Sequence, residues 1–341
     1  MSKVDIFAQQ DNTMVGSLDG QKILVYGGND TGKTYQTTRL PKPMLLMAEA
    51  GGNARNVPKF PIDDWDDFTE IVKQLISKYE QAREKFSTII IDTTEALVSI
   101  CEQKVAKRYG VLDVSMVQDA DDSNPNGYLL ARTMFKNQIN LLARHGYTVV
   151  FISHEMVDDK YKDPISKEIS SKIMPYGSNK EKGSTKFVRD LCDFVIFTQA
   201  QGVDPTTGKT IYSKAICKET KDVFARSRYT TMQTYIDEFT AENLTKAIET
   251  AIKKEAENEG MGLTSFKFNP VGYTKEDYFE MIKPYMEKLY ALYPDYVMGV
   301  IAEQLGDGHR LTEATDEQII ELGNIYSTFV DYCSGRGIVV E

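Results

Sequence analysis

Up to about residue 235, short apolar runs rich in β-branched residues alternate with segments whose apolar residues recur every three or four positions. The short runs predict strands at 22–27, 43–48, 87–92, 147–153 and 193–198. The amphipathic segments between them predict helices near 64–85, 95–109, 127–145 and 185–191. Strands alternating with helices imply an α/β fold, a parallel sheet flanked by helices. Past residue 193 the signature changes. Residues 194–202 and 209–218 flank Asp204-Pro-Thr-Thr-Gly-Lys209, a turn sequence, so a late antiparallel hairpin is expected. Residues 240–259 set Leu244, Ala247, Ile248, Ala251 and Ile252 on one helix face, and 261–272, with glycines and Pro270, reads as a linker. Two more helices are expected to open at Thr274 and at Thr315, the second with Gln318 in a capping-box pattern. Tyr278, Tyr285, Tyr290, Tyr293 and Tyr296 read as core of that helical tail. The expected division is a core over 1–239, a helix and linker over 240–272, and an acidic helical domain over 273–341.

Charge refines this picture. The net charge is −10, and from Thr240 onward 18 acidic residues face 9 basic ones, so the first two-thirds is nearly neutral. The acidic sum therefore does not exclude an anionic partner for the first part. No apolar stretch reaches the roughly 18 residues of a membrane span, and the N-terminus shows no signal-peptide core, so a cytoplasmic location is expected. Cys101, Cys192, Cys217 and Cys333 lack the spacing of a zinc site or a disulfide framework and read as buried free thiols.

The candidate chemistry begins where the first strand ends. Gly27-Gly28-Asn29-Asp30-Thr31-Gly32-Lys33-Thr34 has the spacing of a phosphate-binding loop. Gly27 and Gly32 allow the backbone N–H groups to turn inward, Lys33 reaches the β/γ-phosphates, and the Thr34 hydroxyl suits Mg²⁺. A following helix adds its positive end. Asp92, closing Ile89-Ile90-Ile91, stands where a buried parallel strand meets the ligand crevice and suits a metal-holding acid; its competing role is a helix cap. Its successor is Thr93, so the common Asp-Glu pair is absent and a water-orienting carboxylate must come from elsewhere. Glu49, emerging after the strand Met44–Met47, is the first candidate and Glu95 the second; a solvated loop glutamate is the plain alternative for Glu49. His154, in Phe151-Ile152-Ser153-His154-Glu155, closes the next strand and either senses the γ-phosphate or is structural.

Glutamate after the second strand, aspartate without an adjacent glutamate, a polar residue closing the fourth strand and a late hairpin together resemble the RecA-like branch of phosphate-loop ATPases. In particular, the chain resembles phage-encoded RecA-like ATPases, some of which act in single-strand annealing or recombination. The resemblance covers about residues 15–235. It implies ATP and Mg²⁺ as cofactors, Lys33 and Thr34 at the phosphates, Asp92 at the metal, Glu49 as the base and His154 as the coupling residue. It also implies a ring or filament with ATP at subunit interfaces. The basic run Lys218, Lys221, Arg226 and Arg228 falls where such proteins offer cations to the neighbouring subunit; Arg226 and Arg228 are the trans candidates.

Residues 155–190 read as a long polar loop, and between Lys160 and Arg189 eight basic residues meet three acidic ones, with Tyr161, Tyr176 and Phe187 interleaved. Cations with stacking aromatics suit single-stranded DNA, and Lys172, Lys180, Lys182 and Lys186 are the expected contacts. The expected function is ATP hydrolysis coupled to single-stranded DNA in recombination, annealing or replication. The rivals are a nucleotide-switched loader that recruits a protein partner through the acidic tail, and a small-molecule kinase.

Overall fold

The computed structural model describes residues 12–49, 56–117, 127–162, 167–178, 184–267, 275–315 and 318–340. Along the chain lie β1 (Thr13–Val15), β2 (Lys22–Gly27), α1 (Lys33–Thr37), β3 (Pro43–Met47), β4 (Lys59–Pro61), α2 (Trp65–Ser77), α3 (Tyr79–Lys85), β5 (Thr88–Asp92) and α4 (Thr94–Arg108). Next come α5 (Gly127–Arg144), β6 (Thr148–Ser153), β7 (Glu155–Lys162), β8 (Ile169–Pro175), α6 (Lys186–Leu191) and β9 (Phe194–Gln199). Then follow β10 (Lys214–Ile216), β11 (Arg226–Ser227), β12 (Tyr235–Ile236), α7 (Ala241–Asn258), β13 (Gly262–Thr264), α8 (Lys275–Leu292), α9 (Pro294–Leu305) and α10 (Ile319–Arg336).

The main sheet has the order β12-β10-β9-β2-β6-β5-β3-β4, with β11 pairing β9. Strands β9, β2, β6, β5, β3 and β4 are parallel, and β10, β11 and β12 join antiparallel. Strand β2 lies between β6 and β9, and its Ile23, Leu24, Val25 and Tyr26 are at most 1% exposed, which is why the central strands appear in the sequence as unbroken apolar runs. The register aligns Tyr26 with Ser153, Asp92 with Ile152 and Met47 with Asp92. The segments leaving β2, β3, β5 and β6 therefore emerge at one edge of the sheet. The expected hairpin is present: β9 and β10 pair antiparallel, and Asp204 Oδ1 accepts from the backbone N–H groups of Thr206 and Thr207 in the turn.

The chain divides differently from the expected boundaries. The larger compact unit comprises Val4–Ile100 and Ile139–Phe268; the smaller gathers Cys101–Gln138 with Asn269–Glu341. Helix α7 belongs to the larger unit. Its Leu244, Ile248 and Ile252 are fully buried in one cluster with Val25, Ile90 and Phe194, and Glu255 accepts from Thr230 and Thr231. The supposed linker contains β13, which pairs with β1 in parallel. In the smaller unit Arg108 of α4 forms an ion pair with Glu303 of α9, and Tyr296 stacks on Tyr332 of α10 at 4.0 Å. The tail tyrosines are divided: Tyr296 is buried, whereas Tyr290 is exposed. A one-dimensional charge balance cannot reveal that residues 101–117 and 127–138 group with the tail.

A second difference lies after His154. Part of the expected loop is an antiparallel hairpin, β7 with β8, irregular between Asp158 and Tyr161. Its β7 alternates exposed and part-buried residues. All four cysteines are buried thiols, and among the described residues no helix is long and apolar enough to cross a membrane.

Candidate nucleotide site

The loop leaving β2 occupies the emergent edge of the sheet. Gly27 passes so close to β9 that a Cβ there would lie 2.3 Å from the carbonyl oxygen of Thr198, a contact that glycine alone permits. Gly32 (φ 80°) enters α1 from the left-handed region. Lys33 is buried, and its Nζ donates to the carbonyls of Gly27 at 2.8 Å and Gly28 at 2.6 Å, which arches the ammonium over the loop. Burial pushes this ammonium below its ordinary pKa, opposed by the carboxylates of Asp92, Glu155, Glu95 and Asp30. Thr31 Oγ1 meets Thr198 Oγ1 at 2.8 Å and fixes the loop to β9. Helix α1 has only five residues, and the hydroxyls of Thr37 and Thr38 bond back to the carbonyls of Lys33 and Thr34. With so few aligned peptides, the loop amides and Lys33 supply the positive potential, and the expected helix-dipole contribution is minor.

The two residues that the sequence suggests for a metal are brought together. Thr34 Oγ1 donates to Asp92 Oδ2 at 2.8 Å, joining residues 58 positions apart. Two hard oxygen donors at one point fit Mg²⁺, which takes few protein ligands and retains waters. Thr34 and Asp92 would hold it, and when bound it would neutralise phosphate charge. Burial pushes the Asp92 carboxyl above its ordinary pKa, the Thr34 hydrogen bond pulls it down, and the Glu49 carboxylate raises it again. The charged form is therefore less favoured in the fold than in the unfolded chain. The resulting stability is present below the ordinary aspartate pKa and is lost as pH rises through the raised value. Asp92→Asn should accordingly raise the nucleotide-free melting temperature at neutral pH by a few degrees; an unchanged or lower value would contradict this.

Glu49 stands just past β3, exposed, and its Oε1 accepts from Thr93 Oγ1 at 2.6 Å. Thr93, singled out in the sequence only as the residue that displaces the usual glutamate, thus tethers the candidate base beside Asp92. Glu95, in the first turn of α4, is engaged elsewhere: its Oε1 accepts from the backbone N of His154 at 3.0 Å and contacts the ring Nδ1 at 2.6 Å. Asn29, Asp30, Thr31, Gly32, Lys33, Thr34, Asp92, Thr93 and His154 line one cleft of about 930 Å³. That volume is within the range of small-molecule sites. Thr210 to Ser213 and Phe239 complete the wall, and Tyr35 adds an aromatic ring capped by the Arg39 guanidinium at 3.4 Å. Thr210 to Ser213 carry no sequence signal, because the chain after β9 brings them to the cleft. Glu155, also missed, sits against the loop, 3.5 Å from where a Gly28 Cβ would be.

The other expected cations are not gathered at the cleft. Arg226 pairs in register with Val195, and Arg228 Nε binds Asp193 Oδ1 at 3.1 Å. Asp193 also accepts from the backbone N of Lys22, so both arginines lie toward the beginning of β2 and β9, opposite the phosphate loop. Lys172 is buried, forms an ion pair with Glu219 and lies over the Tyr161 ring at 4.5 Å; it is a structural cation and not the exposed DNA contact expected. Lys186 pairs with Asp190 one turn along α6 at 3.2 Å. Lys180 and Lys182 lie outside the described residues.

A phosphate loop that ends β2, followed by a threonine–aspartate pair at the edge of a largely parallel sheet, defines a P-loop nucleotide-binding protein. A family model described as an AAA domain matches residues 19–229, and the chain belongs to this family of P-loop ATPases. It is also 33% identical over 326 residues, 93% of this chain and 94% of the relative, to YorG, an uncharacterized protein derived from the SPbeta prophage of Bacillus subtilis (strain 168). Family membership implies nucleotide use, usually with Mg²⁺.

Proposed function

We propose that this is a RecA-like, phage-type ATPase that couples Mg²⁺-ATP hydrolysis to work on single-stranded DNA in recombination, annealing or replication. The contact between Thr34 and Asp92 inside the phosphate-loop cleft carries the ATPase part, because it unites the two ligands that hydrolysis requires. Lys33 and the loop amides would bind the β/γ-phosphates, Glu49 would orient the attacking water, and His154 would report the state of the γ-phosphate. The prophage-derived relative supports the phage setting.

The DNA part rests on the hairpin that leaves the cleft at His154. Its Lys160 and Lys162 are exposed toward the far end of β7, and Tyr176, just beyond β8 at the cleft end, is 52% exposed, so cations and a stackable ring lie along one hairpin that leads away from the cleft. Together, Lys160→Ala and Lys162→Ala should weaken single-stranded DNA binding across sequences, with a shallower salt dependence, while leaving basal ATP turnover unchanged. A salt titration of affinity, with ATPase rates measured with and without DNA, checks this. ATP turnover that DNA neither stimulates nor requires would favour the loader reading, in which the acidic helical unit recruits a protein.

We further propose sites shared between subunits of a ring or filament. Arg228 is 53% exposed despite its pairing with Asp193 and lies away from this chain's own phosphate loop, so in this reading it would act on a neighbour's nucleotide. Mixing an Arg226→Glu, Arg228→Glu chain with a Glu49→Gln chain should restore part of the activity; no rescue would remove the trans role.

A further inference from the structure

Beside His154, which lines the cleft, stands Glu95, whose carboxylate holds that residue by both ring and backbone. Its side chain is 14% exposed, and a single oxygen, Oε1, serves both the ring Nδ1 and the backbone N of His154. The other oxygen, Oε2, is buried and has no hydrogen-bond partner. A carboxylate so placed, with one oxygen doubly used and the other enclosed, is poorly disposed to take a proton from water. It is well disposed to orient an imidazole. A carboxylate oxygen accepts, so Nδ1 must carry a proton, and Nε2 is left as the ring nitrogen available to the cleft that His154 lines.

We propose that Glu95 is a positioning residue for His154: it holds the imidazole through Nδ1–H and so presents Nε2 to the phosphate end of the cleft before nucleotide arrives. The proposal deepens the ATPase reading above and rests on it for its kinetic consequence. The same oxygen grips the backbone where β6 passes into β7, and the His154 carbonyl accepts from Tyr176 N at 2.9 Å, just beyond β8. Both ends of the hairpin and the ring are thereby referenced to α4, whose first residue lies two positions after Asp92. A phosphate oxygen accepts, so Nε2 would meet it as N–H in the doubly protonated ring, and a ring held at Nδ1 would pass that contact to the hairpin.

The test has a readout independent of activity. The chain has three histidines, so a long-range ¹H–¹⁵N spectrum of the imidazoles can be assigned by replacing His145 and His309 in turn. In the wild-type chain Nδ1 of His154 should be protonated. In Glu95→Ala the ring should revert to the Nε2–H form that unconstrained histidine favours, whereas Glu95→Gln, whose amide oxygen still accepts, should retain Nδ1–H. An unprotonated Nδ1 in the wild type would overturn the proposal. Kinetically, Glu95→Ala should lower kcat about 10- to 100-fold with KM within about twofold, as for a misplaced group beside the chemistry. Glu95→Gln should stay within about threefold of the wild type, and Glu95→Ala should add less than about twofold when His154 is already alanine, since the two act as one unit. The same loss from Glu95→Ala in both backgrounds would mean that Glu95 acts directly and would also overturn the proposal. A wild-type chain with no ATP turnover would sink the ATPase reading instead, while the imidazole spectrum would still decide the role of Glu95.

Discussion

Lys33→Ala is expected to abolish useful ATP binding while leaving a folded protein. The ammonium is buried at the loop and already held by the Gly27 and Gly28 carbonyls, so its position owes nothing to the ligand. Truncating one member of a desolvated, hydrogen-bonded charge pair costs about 2–5 kcal/mol, or roughly 30- to several-thousand-fold in affinity. The fold should tolerate the change, because Lys33 is one of many links between the loop and the sheet; Thr31 to Thr198 and Thr34 to Asp92 remain. Calorimetric titration of ATP, with a thermal melt as the control for folding, measures both effects. Undiminished affinity would refute the phosphate-loop assignment.

Glu49→Gln should separate binding from turnover. The carboxylate is exposed at the end of β3 and tied by Thr93, so the amide can keep the Thr93 hydrogen bond and the local structure. What it loses is the negative charge that the proposed role assigns to orienting and polarising the attacking water. General-base contributions are about 10²- to 10⁴-fold, so kcat should fall by that factor with ATP affinity nearly unchanged. Thr93→Val should give a smaller loss in the same direction, since it frees Glu49 without neutralising it. Near-normal hydrolysis by Glu49→Gln would exclude it as the base and return the role to Glu95, in conflict with the positioning role inferred above.

Much of the phosphate-loop cleft is legible in the sequence. The loop spacing names its residues because each must do a separate task on a polyphosphate. Asp92 could be placed because a strand buried on both faces is an unbroken apolar run, so a carboxylate at its end stands out. Glu49 stands out as a candidate by the same logic, one strand away. The partner of Glu49 does not: Thr93 was noted for what it replaced, and only the register of β3 against β5 shows that its hydroxyl reaches the glutamate. Glu95 was weighed as a base for its nearness to Asp92, and the fold turned it toward His154 instead.

The cations were least legible. Lys172 reads as a DNA contact in a basic stretch, yet Glu219, 47 residues later, claims it. Arg228 reads as a trans cation, and Asp193 holds it.

By itself, the sequence determined the central strands, their flanking helices, the late hairpin and the phosphate loop, since these follow from local periodicity and from residue types that no other backbone arrangement accommodates. Tertiary structure decided what depends on partners distant along the chain. The hairpin β7–β8 is half exposed and lacks a strong periodic signal, β13 exists as a strand through its pairing with β1, and α7 joins the larger unit because its apolar face fills the sheet's own core. Residues 101–117 and 127–138 group with the tail for a similar reason: contacts with residues distant along the chain, not order along it, assign them.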